Sequence, residues 1–312
     1  MKKVIKDVDD KKGVVQVTIA DERWYIRDVT NPITGIPEFK FVPSATWIAS
    51  CYPKGIGYFK WLAEKGWDEA EAIKQAAGDK GTKVHKAIEA VMRGEEVRID
   101  SKFINPSTDR EEELTLDECD CILSFIAWRK EMETEYVFET VVYETVLWSD
   151  QHNVAGTVDW IVKLTNKETG EVKFYLIDFK TSQYIWKSHE IQVSLYKEIV
   201  SNGENHFVGL DASKLEAAIL QLGYKKNKAG FKFVPIANKF NLFLTSKQIW
   251  QEEHGGEQPN KKDYPIILSP GIKPEEVVIE EPKTFVADEI WPTESTEESP
   301  KIIKKVVKGK PQ

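Results

Sequence analysis

The sequence predicts a mixed α+β or α/β protein, with a central mixed sheet flanked by helices, an N-terminal β-meander and a helical insert. Three observations carry this. Residues 14–42 alternate polar and apolar positions between turn signals. Residues 115–225 read as helix, three strands, helix, strand. A hydrophobic content of 41% with ten tryptophans in 312 residues is ample for a core.

The elements follow in order. "VVQVTIADERWYIRDV" and "GIPEFKFVPS" form a short meander, which defines an N-terminal segment over 1–45. "FVPSATWIASCYPKGIGYFKWLAEKG" moves from loop into helix. Residues 68–94 predict two helices broken near Gly78 to Gly81, because glycine weakens a helix interior. "TLDECDCILSFIAWRKEMETE" has helical periodicity, with Leu123, Ile126 and Trp128 among its apolar positions. Three β-type runs follow: "YVFETVVYETVLW", "VAGTVDWIVKL" and "VKFYLIDFKTS". Then come a helix over "SHEIQVSLYKEIVSN", a strand over "KLEAAILQLGYK", a hairpin at about 223–243 and a short helix over "TSKQIWQEEH". The main domain is expected over 46–273.

Residues 274–312 are acidic, then basic, with prolines and serines, and read as a disordered charged tail. Residues 275–298 alone carry nine acidic groups and one lysine; the whole chain is −8, so the remainder is near neutral. Global charge therefore does not exclude a nucleic-acid groove. Phe285, Ile290 and Trp291 are isolated apolar residues that could dock a partner. No apolar run is long enough to span a bilayer, so no membrane is expected. "MKKVIKDVDDKKG" lacks the apolar stretch of a signal peptide, so a cytoplasmic location is expected. Cys51, Cys119 and Cys121 have no usual zinc spacing and read as free thiols.

Charge is concentrated where the pattern otherwise predicts core. In "VDWIVKLTNKETGEVKFYLIDFK", a turn centred between Glu168 and Thr169 sets Asp159 directly opposite Asp178. Opposite residues share a face, with Cβ atoms roughly 4.5–5.5 Å apart. Lys180 points to the same face, two positions on; Val158, Trp160, Val162, Tyr175, Ile177 and Phe179 take the other. A slip of one residue would destroy this convergence. Two carboxylates so close repel unless a proton or a cation intervenes. Oxygen ligands of this kind suit Mg²⁺ or Mn²⁺. The competing reading is an Asp–Lys pair on a solvated sheet face.

Three further features bear on the choice. Gln192 and Tyr196 form an i, i+4 pair on the helix after Lys180. His85 lies on a helix opened by Gly81 and Thr82, with Glu89 one turn later. Glu144 lies in the strand before Asp159 and could reach the same face. Alone, the Gln192–Tyr196 pair and His85 read by default as packed or surface residues, and Glu144 reads equally well as a surface glutamate.

Together, "GTVDW", "LIDFKTS" and "IQVSLYK", with "GTKVHKAIE" and "VPSATWIASCYPK" upstream, resemble the PD-(D/E)XK nuclease superfamily, in particular its RecB-type exonuclease branch with its phage members. The resemblance spans roughly residues 40–200. It implies a restriction-endonuclease-like core and a metal-dependent DNA exonuclease of replication, repair or recombination. It implies metal ligation by His85, Asp159 and Asp178, with the Phe179 carbonyl as a further ligand. Lys180 would position the attacking water, Glu144 would be an auxiliary acid, and Gln192 and Tyr196 would support the site and the DNA backbone. Mg²⁺ or Mn²⁺ is the implied cofactor, and DNA ends are the implied substrate. A single-strand-binding or annealing protein is the implied partner of the tail. In a phage-encoded case the location would be the host cytoplasm. The iron–sulfur cysteines of some relatives have no counterpart, so no cluster is expected. No G-x-x-x-x-G-K-[ST] accompanies the motifs, so no helicase is expected within this sequence and the nuclease would be stand-alone or recruited by partners.

Two other readings share the fold: a non-catalytic DNA-end-binding module, and a restriction-type endonuclease. The joint presence of His85, Asp159, Asp178 and Lys180 favours catalysis over the first. The second would need a recognition element that the sequence does not display.

Overall fold

The computed structural model describes residues 4–9, 14–19, 22–31, 33–35 and 37–256. The charged segment 274–312, with Phe285, Ile290 and Trp291, lies outside the described residues. Strands β1 (Val4–Asp9), β2 (Val14–Ile19), β3 (Glu22–Thr30) and β4 (Pro37–Pro43) form an antiparallel meander in sequence order. Next come α1 (Ala45–Ser50), α2 (Ile56–Lys65) and α3 (Trp67–Met92). A small hairpin, β5 (Lys102–Asn105) with β6 (Arg110–Glu113), precedes α4 (Leu116–Met132).

The central sheet contains β7 (Tyr136–Ser149), β8 (Val154–Asn166), β9 (Val172–Lys180), β10 (Leu215–Leu222) and β11 (Phe231–Pro235), in the order β11-β10-β9-β8-β7. Helix α5 (Lys187–Ser201) carries the crossover that makes β10 parallel to β9; the other pairings are antiparallel. The sheet is therefore mixed, as expected. Helix α6 (Phe240–His254) follows. Among the described residues, no helix is long and apolar enough to cross a membrane.

The β8–β9 turn fixes the register. Asn166 Oδ1 accepts from Glu168 N at 3.0 Å and Thr169 N at 2.8 Å, and Gly170 takes φ +70°. This side-chain-to-backbone closure is what asparagine supplies at turns. The resulting pairs run from Thr165↔Val172 to Trp160↔Ile177, so Asp159 and Asp178 come next in line.

The sheet is covered on both faces. One face packs Ile161, Phe174, Leu176, Leu215 and Ile219 against α5, α1, α6 and the meander residues Trp24 and Ile26. The other packs Trp160, Val162, Ile177, Phe179, Leu220 and Leu222 against Val84, Ala87 and Ile88 of α3 and Phe125 and Trp128 of α4. Val158 does not follow Trp160 and Val162 as alternation predicts; it packs on the first face. The pairing with β9 ends at Trp160, and farther back along β8 Ala155 bridges to Ser44 at the end of the meander.

Three other expectations change. Residues 67–92 form one unbroken helix rather than two. Glycine at 78 and 81 costs about 1 kcal/mol each relative to alanine, which packing of α3 outweighs. Leu123 is exposed, while Trp128 of the same helix is buried. The hairpin is made by β11 folding back on β10, its turn closed by Gly230 N donating to Asn227 Oδ1 at 3.0 Å, and the chain is helical already over Phe240–His254. Helix α4 begins at a capping box between Thr115 and Glu118, which satisfies two otherwise orphaned donors.

Candidate metal centre

Beyond Trp160 and Ile177, β8 and β9 no longer pair. Asp159 Oδ2 instead accepts a hydrogen bond from Phe179 N at 2.7 Å. A side chain thus replaces a ladder carbonyl where the pairing ends. On the opposite edge of β8, the β7 pairing shifts between Thr140 and Val142. After that bulge, Tyr143 pairs with Trp160 and Thr145 with Val158, so Glu144 faces Asp159 across the strands. Glu144 adopts φ +43°, a backbone conformation that non-glycine residues rarely occupy. Strain of this kind costs of order 1–3 kcal/mol and persists where surrounding structure imposes it.

Helix α3 delivers His85 to this opening. Its Nε2 lies 3.1 Å from the Phe179 carbonyl, and its Nδ1 lies 3.3 Å from Asp159 Oδ1 and 3.9 Å from Glu144 Oε1. A carbonyl only accepts, so Nε2 carries a hydrogen and Nδ1 is the atom turned to the carboxylates. One ligand atom from each of His85, Glu144 and Asp159 lies within 4.8 Å of the others. A histidine fixed through its second nitrogen by a backbone carbonyl is a common arrangement of metal ligands.

Asp178 and Lys180 stand on the adjoining strand. Lys180 Nζ is 2.6 Å from Asp178 Oδ2. The ammonium and the carboxylate are thus in direct contact inside the protein. Asp178 is 2% exposed, so its carboxylate depends on that ammonium for compensation.

The charges are mutually dependent. Burial opposes a charged His85, but Asp159, through charge and hydrogen bonding, and Glu144 raise it to about 9. Burial would raise Asp159, yet His85, Lys180 and the Phe179 amide hold it below the usual carboxylate range. Glu144 is pushed up by burial and by the Asp159 charge. Asp178 is pushed up to about 6 by burial, with Lys180 opposing and Asp159 reinforcing. Burial disfavours the Lys180 ammonium, but Asp178 and Asp159 raise it above its usual value. Three carboxylates against one imidazolium and one ammonium leave the site short of positive charge.

Behind it, Gln192 Nε2 donates to Tyr196 Oη and to Thr46 Oγ1, both at 3.0 Å. The two residues therefore share a helix face, as their spacing predicts. Tyr196 is buried, and its ring lies against Gly156. Tyr25 Oη and Thr157 Oγ1 are 3.1 Å apart.

The structure thus brings His85, Glu144 and Asp159 into one group, sets Asp178 and Lys180 beside it as a pair, and places Gln192 and Tyr196 behind. Glu144, read from sequence as an auxiliary acid, belongs to the ligand-competent group. Asp178, read as a ligand, is outside that group and faces Lys180. The Phe179 carbonyl, read as a ligand, serves as the acceptor that orients His85. Sequence reasoning missed Thr46, Gly156, Thr157 and Tyr25. Of these, only Gly156 carried a signal, as an isolated glycine inside a strand. A shallow cleft between α4 and the β10–β11 turn is lined by Asp117, Asp120, Tyr224 and Lys225, and holds none of these residues. The sequence matches no protein-family model and no curated protein.

Proposed function

We propose that this chain is a divalent-metal-dependent deoxyribonuclease with a restriction-endonuclease-like core, acting as an exonuclease of the RecB-type branch of the PD-(D/E)XK superfamily. The observation that carries the reading is the convergence of His85, Glu144 and Asp159 within 4.8 Å, beside Asp178 and Lys180 on the next strand. The order α4-β7-β8-β9-α5-β10 supports it, since three antiparallel strands followed by a crossover to a parallel strand hold the motif residues at one end of the sheet.

The residues fit a hard or borderline divalent cation. The donors are two carboxylates and an imidazole, a set suited to Mn²⁺ and tolerant of Mg²⁺. The buried carboxylates of Glu144, Asp159 and Asp178 outnumber the cations beside them, His85 and Lys180, so the site can accept a further positive charge. His85, Glu144 and Asp159 would hold the ion, with Asp178 adjacent. Bound there, it supplies Lewis acidity that acidifies a water and offsets charge developing on a phosphate.

The chain's own groups do the rest. Lys180 is held as an ammonium and can donate hydrogen bonds to the attacking water or to a phosphate oxygen. Asp178 holds Lys180 in place. The Phe179 carbonyl fixes the His85 ring, and the Phe179 amide fixes the Asp159 carboxylate. The test is incubation of linear and circular duplex DNA with Mg²⁺, Mn²⁺ or EDTA. Metal-dependent loss of the linear form alone is expected. Cutting of the circle would replace the exonuclease reading with an endonuclease, and cleavage in EDTA would sink the metal mechanism.

A further inference from the structure

Resting on the nuclease reading and deepening its substrate class, we infer that Tyr184 and Trp186 form a base-stacking platform that receives single-stranded DNA beside the site. Both residues lie in the segment 181–186, which leads from Lys180 into α5. Both are large aromatics left 58% and 52% exposed. Their ring centroids are 5.9 Å apart and tilted by 41°. Lys226 Nζ stands 4.7 Å from the Tyr184 ring centroid.

The segment is anchored rather than loose. Gln221 Nε2 donates to the Ser182 carbonyl at 3.0 Å, and Gln183 Nε2 donates to the Gly223 carbonyl at 2.7 Å. Lys225 N returns a bond to Gln183 Oε1 at 3.0 Å. Ser182 Oγ donates to the Tyr184 carbonyl at 2.8 Å. The aromatic pair is thus presented by a framework tied to the end of β10.

Charge selects the occupant. Lys225, Lys226 and Lys228 lie on the β10–β11 turn, and Lys187 opens α5. Among the described residues, Lys225 pairs with the half-exposed Asp117 and Lys187 with the half-buried Glu190, contacts that a phosphate can displace. Aromatic rings among lysines suit a polyanion with free π-faces. Protein interface cores, by contrast, are depleted in lysine. In a duplex the bases stack on one another, so an aromatic side chain finds a free face only on an unpaired base. Trp186 is six residues from Lys180, at most about 22 Å along the chain. A frayed strand of a few nucleotides can touch both.

Fluorescence anisotropy of labelled oligo-dT and of a blunt hairpin duplex, in EDTA to prevent cleavage, tests the platform. Tyr184→Ala and Trp186→Ala should each weaken oligo-dT binding about tenfold or more, and the double variant further. Trp186→Phe, which keeps a stacking face, should retain most of the affinity, and this also controls for folding. Blunt-duplex affinity should change less than twofold. Equal oligo-dT affinity in the wild type and the double variant overturns the platform, as does an equal loss on the duplex. Hydrolysis of bis(4-nitrophenyl) phosphate by the wild type with Mn²⁺ reports separately on the nuclease reading. Absence of that hydrolysis with aromatic-dependent oligo-dT binding intact would remove the nuclease and leave the platform.

Discussion

Gly156 on β8 lies directly under the ring of Tyr196 on α5: a Cβ built on the glycine would stand 2.6 Å from Tyr196 Cε1 and 2.8 Å from Cζ. Neither side can yield easily, because Tyr196 is buried and its hydroxyl accepts from Gln192. Gly156→Ala should therefore cost about 1–3 kcal/mol through overpacking. Urea unfolding measures this, and an unchanged midpoint would mean that the helix moves away freely.

Asp159→Asn and Lys180→Ala should both abolish cleavage, for separable reasons. The first removes a carboxylate from the ligand group, so calorimetry should show weakened metal binding. The second leaves His85, Glu144 and Asp159 intact. It should bind metal while turnover falls by ~10²-fold or more, the usual scale for a lost proton-handling or orienting group. Wild-type turnover in Lys180→Ala would refute its role.

His85 links the site to pH. Its folded value, about 9, lies above the ordinary 6.5. In the metal-free protein its stabilising contacts are fully present below pH 6.5 and fade as pH rises through about 9. Metal binding runs the other way, because Nδ1 must first lose its proton. Mn²⁺ affinity should increase with pH up to about 9, with proton release visible as a buffer-dependent binding enthalpy. His85→Ala should flatten both dependences and weaken Mn²⁺ more than Mg²⁺. A pH-independent Mn²⁺ affinity in the wild type would remove His85 from the ligand group.

Asp150 ties the meander to the central sheet. Its carboxylate meets Arg27 at 2.5 Å and Lys40 at 2.6 Å and accepts from Trp148 Nε1 at 3.0 Å. Burial would raise it, but Lys40, Trp148 and Arg27 together hold it well below the usual carboxylate range. Its folded value is depressed, so its contribution is present above the unfolded value near pH 4 and lost as pH falls further. The group is half exposed, so solvent screening limits the loss in Asp150→Asn to about 1 kcal/mol near neutral pH. Thermal melts of both proteins should converge in acid; a constant gap across pH would exclude the charge as the cause.

The sequence by itself determined the order of the elements from α4 to β10 and one register. The alternation of β8 and β9, with the Asn-to-Gly turn between them, sets Asp159 and Asp178 at matching positions; period and turn chemistry are local and leave little freedom. The spacing of Gln192 and Tyr196 likewise fixes a shared helix face. Tertiary structure alone decided which of these groups assemble. Glu144 enters the ligand group because a bulge and a positive φ redirect β7, and no residue type near it announces a bulge. His85 meets the Phe179 carbonyl from ninety-four positions away because α3 stays continuous through Gly78 and Gly81 and packs on Trp160 and Phe179. Asp178 turns to Lys180 rather than to the imidazole because the β8–β9 pairing ends where the Asp159 side chain takes the Phe179 amide. Each of these outcomes is a competition between contacts distant in sequence, settled by packing and by the cost of leaving a buried charge without a partner.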